Sequence, residues 1–270
     1  HITVMQAHRD GSLPLDAARA AIVPGVKLVV VNHASNVVGT LLPVAEIARL
    51  AHAAGALMLV DAAQTGGVIP ISMPEDGIDF LAFTGHKGLQ GPPGTGGLIL
   101  GAAVDPASLS PLMRGGTGSR SESEEQPDDL PDKYESGTPN GVGIAGLGAA
   151  VRYIQQRTIE AIREHEMLLT GTLIEGLASI PGVTVHGAED PSRMTATVSF
   201  TAKGMRVSEI GFALDEDHSV MCRVGLHCAP AAHRTIGTFP EGTVRMASGI
   251  FTSLDDVRAV IRGVEEVVKR

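Results

Sequence analysis

The chain has 270 residues, a formal net charge of -9, and 43% hydrophobic against 19% charged residues. That length can bury a full core in one large or two modest domains, and the composition is that of a globular protein, not a disordered one. The acidic balance, with no basic patch in view, argues against a nucleic-acid partner, and no apolar run reaches the roughly 20 residues of a membrane helix.

The N-terminus shows no basic region followed by an apolar core, so the cytoplasm is the default compartment. Cys222 and Cys228 form no CxxC pair, which predicts neither a disulfide framework nor a zinc site, and no metal is expected.

Along the chain, residues 1–8 (HITVMQAH) read as a strand with no leading helix. Residues 23–32 (VPGVKLVVVN) and 56–60 (ALMLV) are apolar runs, and residues 42–54 between them place apolar side chains at helical spacing before Gly55. The strands are apolar throughout, as in a sheet covered on both faces. Residues 80–83 and 97–100 add two short strands, so the first half is α/β with a mainly parallel sheet.

Between those last strands lies the run Thr84-Gly85-His86-Lys87-Gly88-Leu89-Gln90-Gly91-Pro92-Pro93-Gly94. A lone lysine in a Gly/Pro turn is ordinarily a solvated charge. At the end of a buried strand beside small residues it is desolvated instead, which frees its amine to form a Schiff base with an aldehyde. Pyridoxal phosphate is such an aldehyde, and it needs a carboxylate for its ring nitrogen and hydroxyl, imidazole and backbone donors for its phosphate. Asp61 can supply the first, and Thr84 and His86 part of the second.

Residues 114–135 are a polar excursion of Gly, Ser, Glu, Asp and Pro without apolar period, either a surface loop or a functional one. Helices follow at residues 142–154 and 159–174, the first kept small-sided by Ala145–Ala150 (AGLGAA) for close packing. Strands near 183–186, 195–200 and 244–247 and helices near 207–214 and 254–268 complete a second, α+β unit. The expected division is a large domain over residues 1–154 and a smaller C-terminal α+β domain over residues 155–270.

Polar residues stand at the strand tips in a fixed order: Asn36, then Asp61 and Gln64, then Thr84, His86 and Lys87. Ligand sites of open α/β sheets form beyond the carboxyl ends of strands, so these residues are placed to converge on one crevice. Read one at a time, Asp61 suits a helix N-cap, Arg245 a surface ion pair, His86 a loop histidine, and Asn36 or Thr138 a turn.

The segments His33-Ala34-Ser35-Asn36-Val37-Val38-Gly39-Thr40, Asp61-Ala62-Ala63-Gln64, Thr84-Gly85-His86-Lys87 and Glu135-Ser136-Gly137-Thr138-Pro139-Asn140 together resemble the class V aminotransferase group of fold-type I pyridoxal-phosphate enzymes. Arg223-Val224-Gly225-Leu226-His227-Cys228-Ala229-Pro230 is similar to the catalytic-cysteine segment of cysteine desulfurases. The likeness runs over nearly the whole chain.

The resemblance implies that Lys87 binds the cofactor aldehyde and moves the substrate α-proton. It implies that Asp61 pairs with the pyridinium nitrogen, that Gln64 bonds the ring oxygen, and that Thr84, His86 and, from a neighbouring subunit of a homodimer, Thr138 hold the phosphate. The loop before Thr138 is then expected near the dimer interface. The resemblance further implies that Asn36, Arg223 and Arg245 bind the substrate carboxylate and that Cys228 accepts sulfur from L-cysteine as a persulfide, with the adjacent His227 expected as its proton partner. A sulfur-acceptor protein is implied as a further partner. Cys222 reads as a core cysteine.

The family also carries a Gly-Thr-Thr-like phosphate turn and a ring-stacking histidine ahead of the region where this chain begins, and neither is recognisable. The large domain is therefore expected to be N-terminally incomplete, as part of a longer protein or as a natural remnant. A selenocysteine lyase or another class V enzyme is the enzymatic alternative, and a non-catalytic remnant unable to hold the cofactor is the alternative of another class.

Overall fold

The computed structural model describes residues 1–120 and 122–270. Two four-stranded sheets organise them. The first runs β1 (Leu28–Asn32), β2 (Leu57–Asp61), β3 (Phe80–Thr84), β4 (Gly96–Leu100) in that spatial order. Strands β1 to β3 are parallel, and β4 returns antiparallel to β3.

Parallel neighbours need a crossover, and α2 (Val44–Ala53) supplies it between β1 and β2. Its Ile47, Ala48 and Ala51 bury against Val29, Val31, Met58 and Val60, together with Ala18 of α1 (Leu15–Ala21). The short α3 (Met73–Asp76) precedes β3.

Burial along β1 alternates, leaving Leu28 43% and Val30 57% exposed. Both-face cover, expected from the apolar runs, is therefore absent among the described residues. The physical reason is that α1 and α2 pack into one core on one side of the sheet. Residues 1–8, expected as a strand, form no strand, and Ile2 and Val4 lie open to solvent.

The second sheet is antiparallel throughout: β5 (Val183–His186), β6 (Thr197–Ala202), β8 (Thr243–Ala247) and β7 (Arg223–Gly225), in that order. Three helices cover it: α5 (Ile159–Ala178), α6 (Val207–His218) and α8 (Leu254–Val268). Their Leu169, Leu177, Ile210, Leu214 and Val264 close on Val198, Phe200, Val244 and Met246. Helix α8 begins on a capping box, in which Ser253 and Asp256 satisfy each other's backbone N–H.

Helix α4 (Gly141–Arg157) joins the two halves, and residue 155 falls in its last turn. The short α7 (Pro230–Ile236) follows β7. Residues 114–135 contain neither helix nor strand among the described residues. Their end is nonetheless anchored: the Lys133 ammonium is buried and donates to the Pro106 carbonyl at 2.8 Å, and the Tyr134 hydroxyl donates to Leu109 O at 3.1 Å.

Phe200 is fully buried at the centre of the second core. Phe200→Ala is expected to cost about 3–5 kcal/mol, through lost burial plus an unfilled cavity, read from the denaturant unfolding midpoint.

Candidate active site

Strands β1, β2 and β3 end in step, with Asn32 beside Asp61 and Asp61 beside Ala82, so their carboxyl ends open on a common rim. Asp61 is exposed there, and its Oδ1 accepts from the Ala63 N–H at 2.8 Å. After β3 the chain turns through the lysine loop, closed by Gly91 N–H to Gly85 O at 2.7 Å and Gln90 N–H to Lys87 O at 2.9 Å.

Small residues let α4 sit directly on that loop. A Cβ on Gly146 would stand 2.6 Å from Pro92 Cγ, and one on Gly91 would stand 2.7 Å from Leu147 Cδ1. The small-sided stretch 145–150 thus packs against the lysine loop itself. Thr84 Oγ1 and His86 Nδ1 lie 2.9 Å apart at its start. Lys87 is exposed at the cavity mouth instead of desolvated, because the loop lifts it off the end of the sheet.

The turn after β1 crosses to the second sheet. Asn36 Nδ2 donates to the His227 carbonyl at 2.8 Å, and Arg245 Nη1 donates to the Asn36 carbonyl at 2.7 Å. Ser199 Oγ donates to Val37 O at 2.6 Å, and Thr195 N–H donates to Gly39 O at 2.9 Å.

Arg223 of β7 and Arg245 of β8 are directly opposed cross-strand partners. Like charges at that spacing destabilise a sheet unless an anion is held between them. Burial and the neighbouring Arg223 both lower the pKa of Arg245, while the Cys228 sulfur favours its charge. Arg223 Nη2 lies 3.4 Å from Cys228 Sγ, and Cys228 is exposed.

His227 and Cys228 are consecutive left-handed residues, with φ of 49° and 61°. This sharp reversal sends one side chain inward and the next outward. The His227 ring is buried, with Nε2 placed 3.1 Å from the Thr243 carbonyl and 3.0 Å from Thr243 Oγ1. Desolvation, then the Arg245 and His233 charges, drives its pKa down to about 4. The Nε2 of His227 is thus engaged by Thr243, and no hydrogen bond joins its ring to Cys228 among the described residues.

Six of the predicted residues, Asn36, Gln64, Lys87, Arg223, Cys228 and Arg245, line one cavity of about 380 Å³. Asp61, Thr84 and His86 stand outside its lining, at the ends of β2 and β3. Thr138 is exposed in the turn before α4, away from the cavity. Cys222 is half-buried against the second core, and burial raises its thiol pKa.

Sequence reasoning missed Glu166, which also lines the cavity. The signal was present: Ile162, Glu166, Leu169 and Leu173 share the buried face of α5, so the acid occupies an apolar-stripe position. Desolvation pushes its carboxyl up to about 7, with Arg163 opposing.

The profile of the family "Aminotransferase class-V" matches residues 1–260. The chain belongs to that class V family. A probable cysteine desulfurase of Methanothermobacter thermautotrophicus is 35% identical over 269 residues, covering 98% of this chain and 66% of the relative. One of Halalkalibacterium halodurans is 32% identical, covering 98% of this chain and 64% of the relative.

Among solved structures, the apo cysteine desulfurase of Thermococcus onnurineus NA1 superposes with a TM-score of 0.91 at 33% identity, over 99% of this chain and 66% of that one. A cysteine desulfurase from Escherichia coli gives 0.84 at 27% identity, over 98% and 64%. The class V chain thus spans about two thirds of the length of the relatives it matches.

A histidine whose folded pKa is depressed binds its proton more tightly when unfolded, so stability is lost as pH falls from about 6.5 toward about 4. Replacing the ring in His227→Phe is expected to flatten that acid limb in a series of denaturant midpoints. Because the pKa values of His33, His186 and His233 are displaced in the same direction, the slope shrinks without vanishing.

Proposed function

We propose that this class V protein is a pyridoxal-phosphate-dependent cysteine desulfurase, converting L-cysteine to L-alanine and leaving a persulfide on Cys228. The observation that carries this reading is the opposed pair Arg223 and Arg245 beside an exposed thiol, in the same cavity as Lys87. Two guanidiniums suit a substrate carboxylate, and the thiol stands within reach of what they hold.

The residues present fit the cofactor in their chemistry. Lys87 offers an amine to its aldehyde, Asp61 a carboxylate to its ring nitrogen, and Gln64 an amide to its ring oxygen. Thr84 and His86, already 2.9 Å apart, offer a hydroxyl and an imidazole to its phosphate. When bound, the cofactor draws electrons from the α- and β-carbons of the amino acid.

The chain's own groups then divide the work. Arg245, Arg223 and Asn36 hold the carboxylate, and Lys87 takes and returns the α-proton. The Cys228 thiolate attacks the substrate sulfur: a sulfur–sulfur bond forms, the carbon–sulfur bond breaks, and its electron pair stays with carbon.

In this reading the protein works as a cytoplasmic homodimer, with Thr138 reaching a neighbour's phosphate site and a sulfur-acceptor protein drawing on Cys228. The exposure of both Thr138 and Cys228 supports it. The division into domains at residues 1–154 and 155–270 belongs to the same proposal, and is supported by the separate cores of the two sheets.

With cofactor added to the purified protein, a visible absorbance band is expected and is lost in Lys87→Ala. Alanine formation from L-cysteine is expected to fall at least about a hundredfold in Cys228→Ala, in line with loss of a nucleophile. Alanine formed at the unaltered rate by that variant would refute the desulfurase assignment.

A further inference from the structure

Glu166 is the only acidic residue lining the cavity among the described residues, in a lining that also holds the cations Lys87, Arg223 and Arg245. It is 4% exposed, and its side chain makes no hydrogen bond or ion pair among the described residues. The nearest cation on its own helix is already committed. Arg163 spends Nη1 on the Met194 carbonyl at 2.5 Å and Nη2 on the Pro191 and Ser192 carbonyls at 3.0 and 2.9 Å.

A buried carboxyl without an ion partner is held neutral at a steep cost to its charged form, and a neutral carboxyl carries an O–H that needs an acceptor. The cavity is the one direction left for that hydrogen. The acceptors on that side are the unpartnered Ser248 hydroxyl and any anion that the paired arginines attract.

We propose that Glu166 is a charge-state gate for thiol-bearing carboxylate substrates: as a neutral acid it donates a hydrogen bond to the anion held by Arg223 and Arg245, and as a carboxylate it repels that anion. This deepens the desulfurase reading and rests on it for the natural substrate. Burial sets the transition near pH 7, since it pushes the Glu166 carboxyl up to about 7.

The charged and titratable groups around Glu166 come from its own helix and from the cavity lining. Arg163 on α5 is the one charge that acts on it directly, and the cavity lining adds Lys87 on the lysine loop, Arg223 on β7, Arg245 on β8, and His227 and Cys228 on the turn between β7 and α7. The arginines stay charged across the neutral range, and His227, with its pKa near 4, stays neutral. Cys228 is the other acid to remove.

The test therefore uses the Cys228→Ala background without cofactor, with 3-mercaptopropionate as the probe. This thiol carboxylate keeps a constant single negative charge between pH 5.5 and pH 8.5. Its affinity, measured by calorimetry, is expected to fall about tenfold or more across that window with Glu166 present, the order expected for a like charge in a confined site. It is expected to change less than about twofold with Glu166→Gln.

Parallel pH profiles in the two proteins would overturn the gate. A second reading needs no variant: an infrared band of a protonated carboxyl is expected to disappear with a midpoint near neutral pH. A band that has already vanished at acid pH would equally overturn it. Failure of the desulfurase reading looks different, with a Glu166-dependent affinity profile intact but no alanine formed from cysteine by the cofactor-loaded protein.

Discussion

The structure depends on one crossing, where the turn after β1 leaves the parallel sheet and is bound by the antiparallel one. Backbone and side chains both hold it there. Val37 O takes the Ser199 hydroxyl, Gly39 O takes the Thr195 N–H, and Asn36 is held at both its carbonyl and its amide. Val37 and Val38 are fully buried and pack with Ile236 of α7. Without this crossing, Gln64 and Lys87 would belong to one sheet, Arg223, Cys228 and Arg245 to the other, and no common cavity would exist. Each of these hydrogen bonds contributes about 1 kcal/mol net, but leaving the buried partners unpaired would cost more.

Around that crossing the second sheet accumulates unlike demands. It places two guanidiniums face to face, buries neutral imidazoles beneath them, and presents a thiol above. Burial acts in opposite senses on the two kinds of group, keeping His227 deprotonated and Glu166 protonated over part of the range near neutrality. The cavity therefore faces an incoming anion with cations that are not cancelled by a nearby carboxylate.

Most strands and helices were legible because they rest on local periodicity, whereas the order of strands in the sheets was not. Residues 254–268 read as a helix from their amphipathic repeat, and they form one with the bounds Leu254–Val268. β7 and α7 were not legible: three residues with an exposed arginine carry no strand signal, and β7 exists only because β8 offers its edge. Three cavity residues, Asn36, Gln64 and Lys87, could be found from the order of polar residues at strand tips, whereas Arg223, Cys228 and Arg245 were reached only through the family resemblance. The direction of His227 could not be read, because it depends on two consecutive left-handed residues that no propensity favours. Glu166 was hidden for a related reason, its distinction lying in what it fails to touch.

That left-handed pair also bears on how the Cys228 side chain is presented. Each non-glycine residue in this region costs of order 1–3 kcal/mol, so the turn at His227 and Cys228 sits above its relaxed backbone conformations. The inward imidazole, fastened to Thr243, holds one side of that turn, and Cys228 stands exposed on the other, beside Arg223. The exposed thiol therefore owes its place at the cavity to a ring that is turned away from solvent.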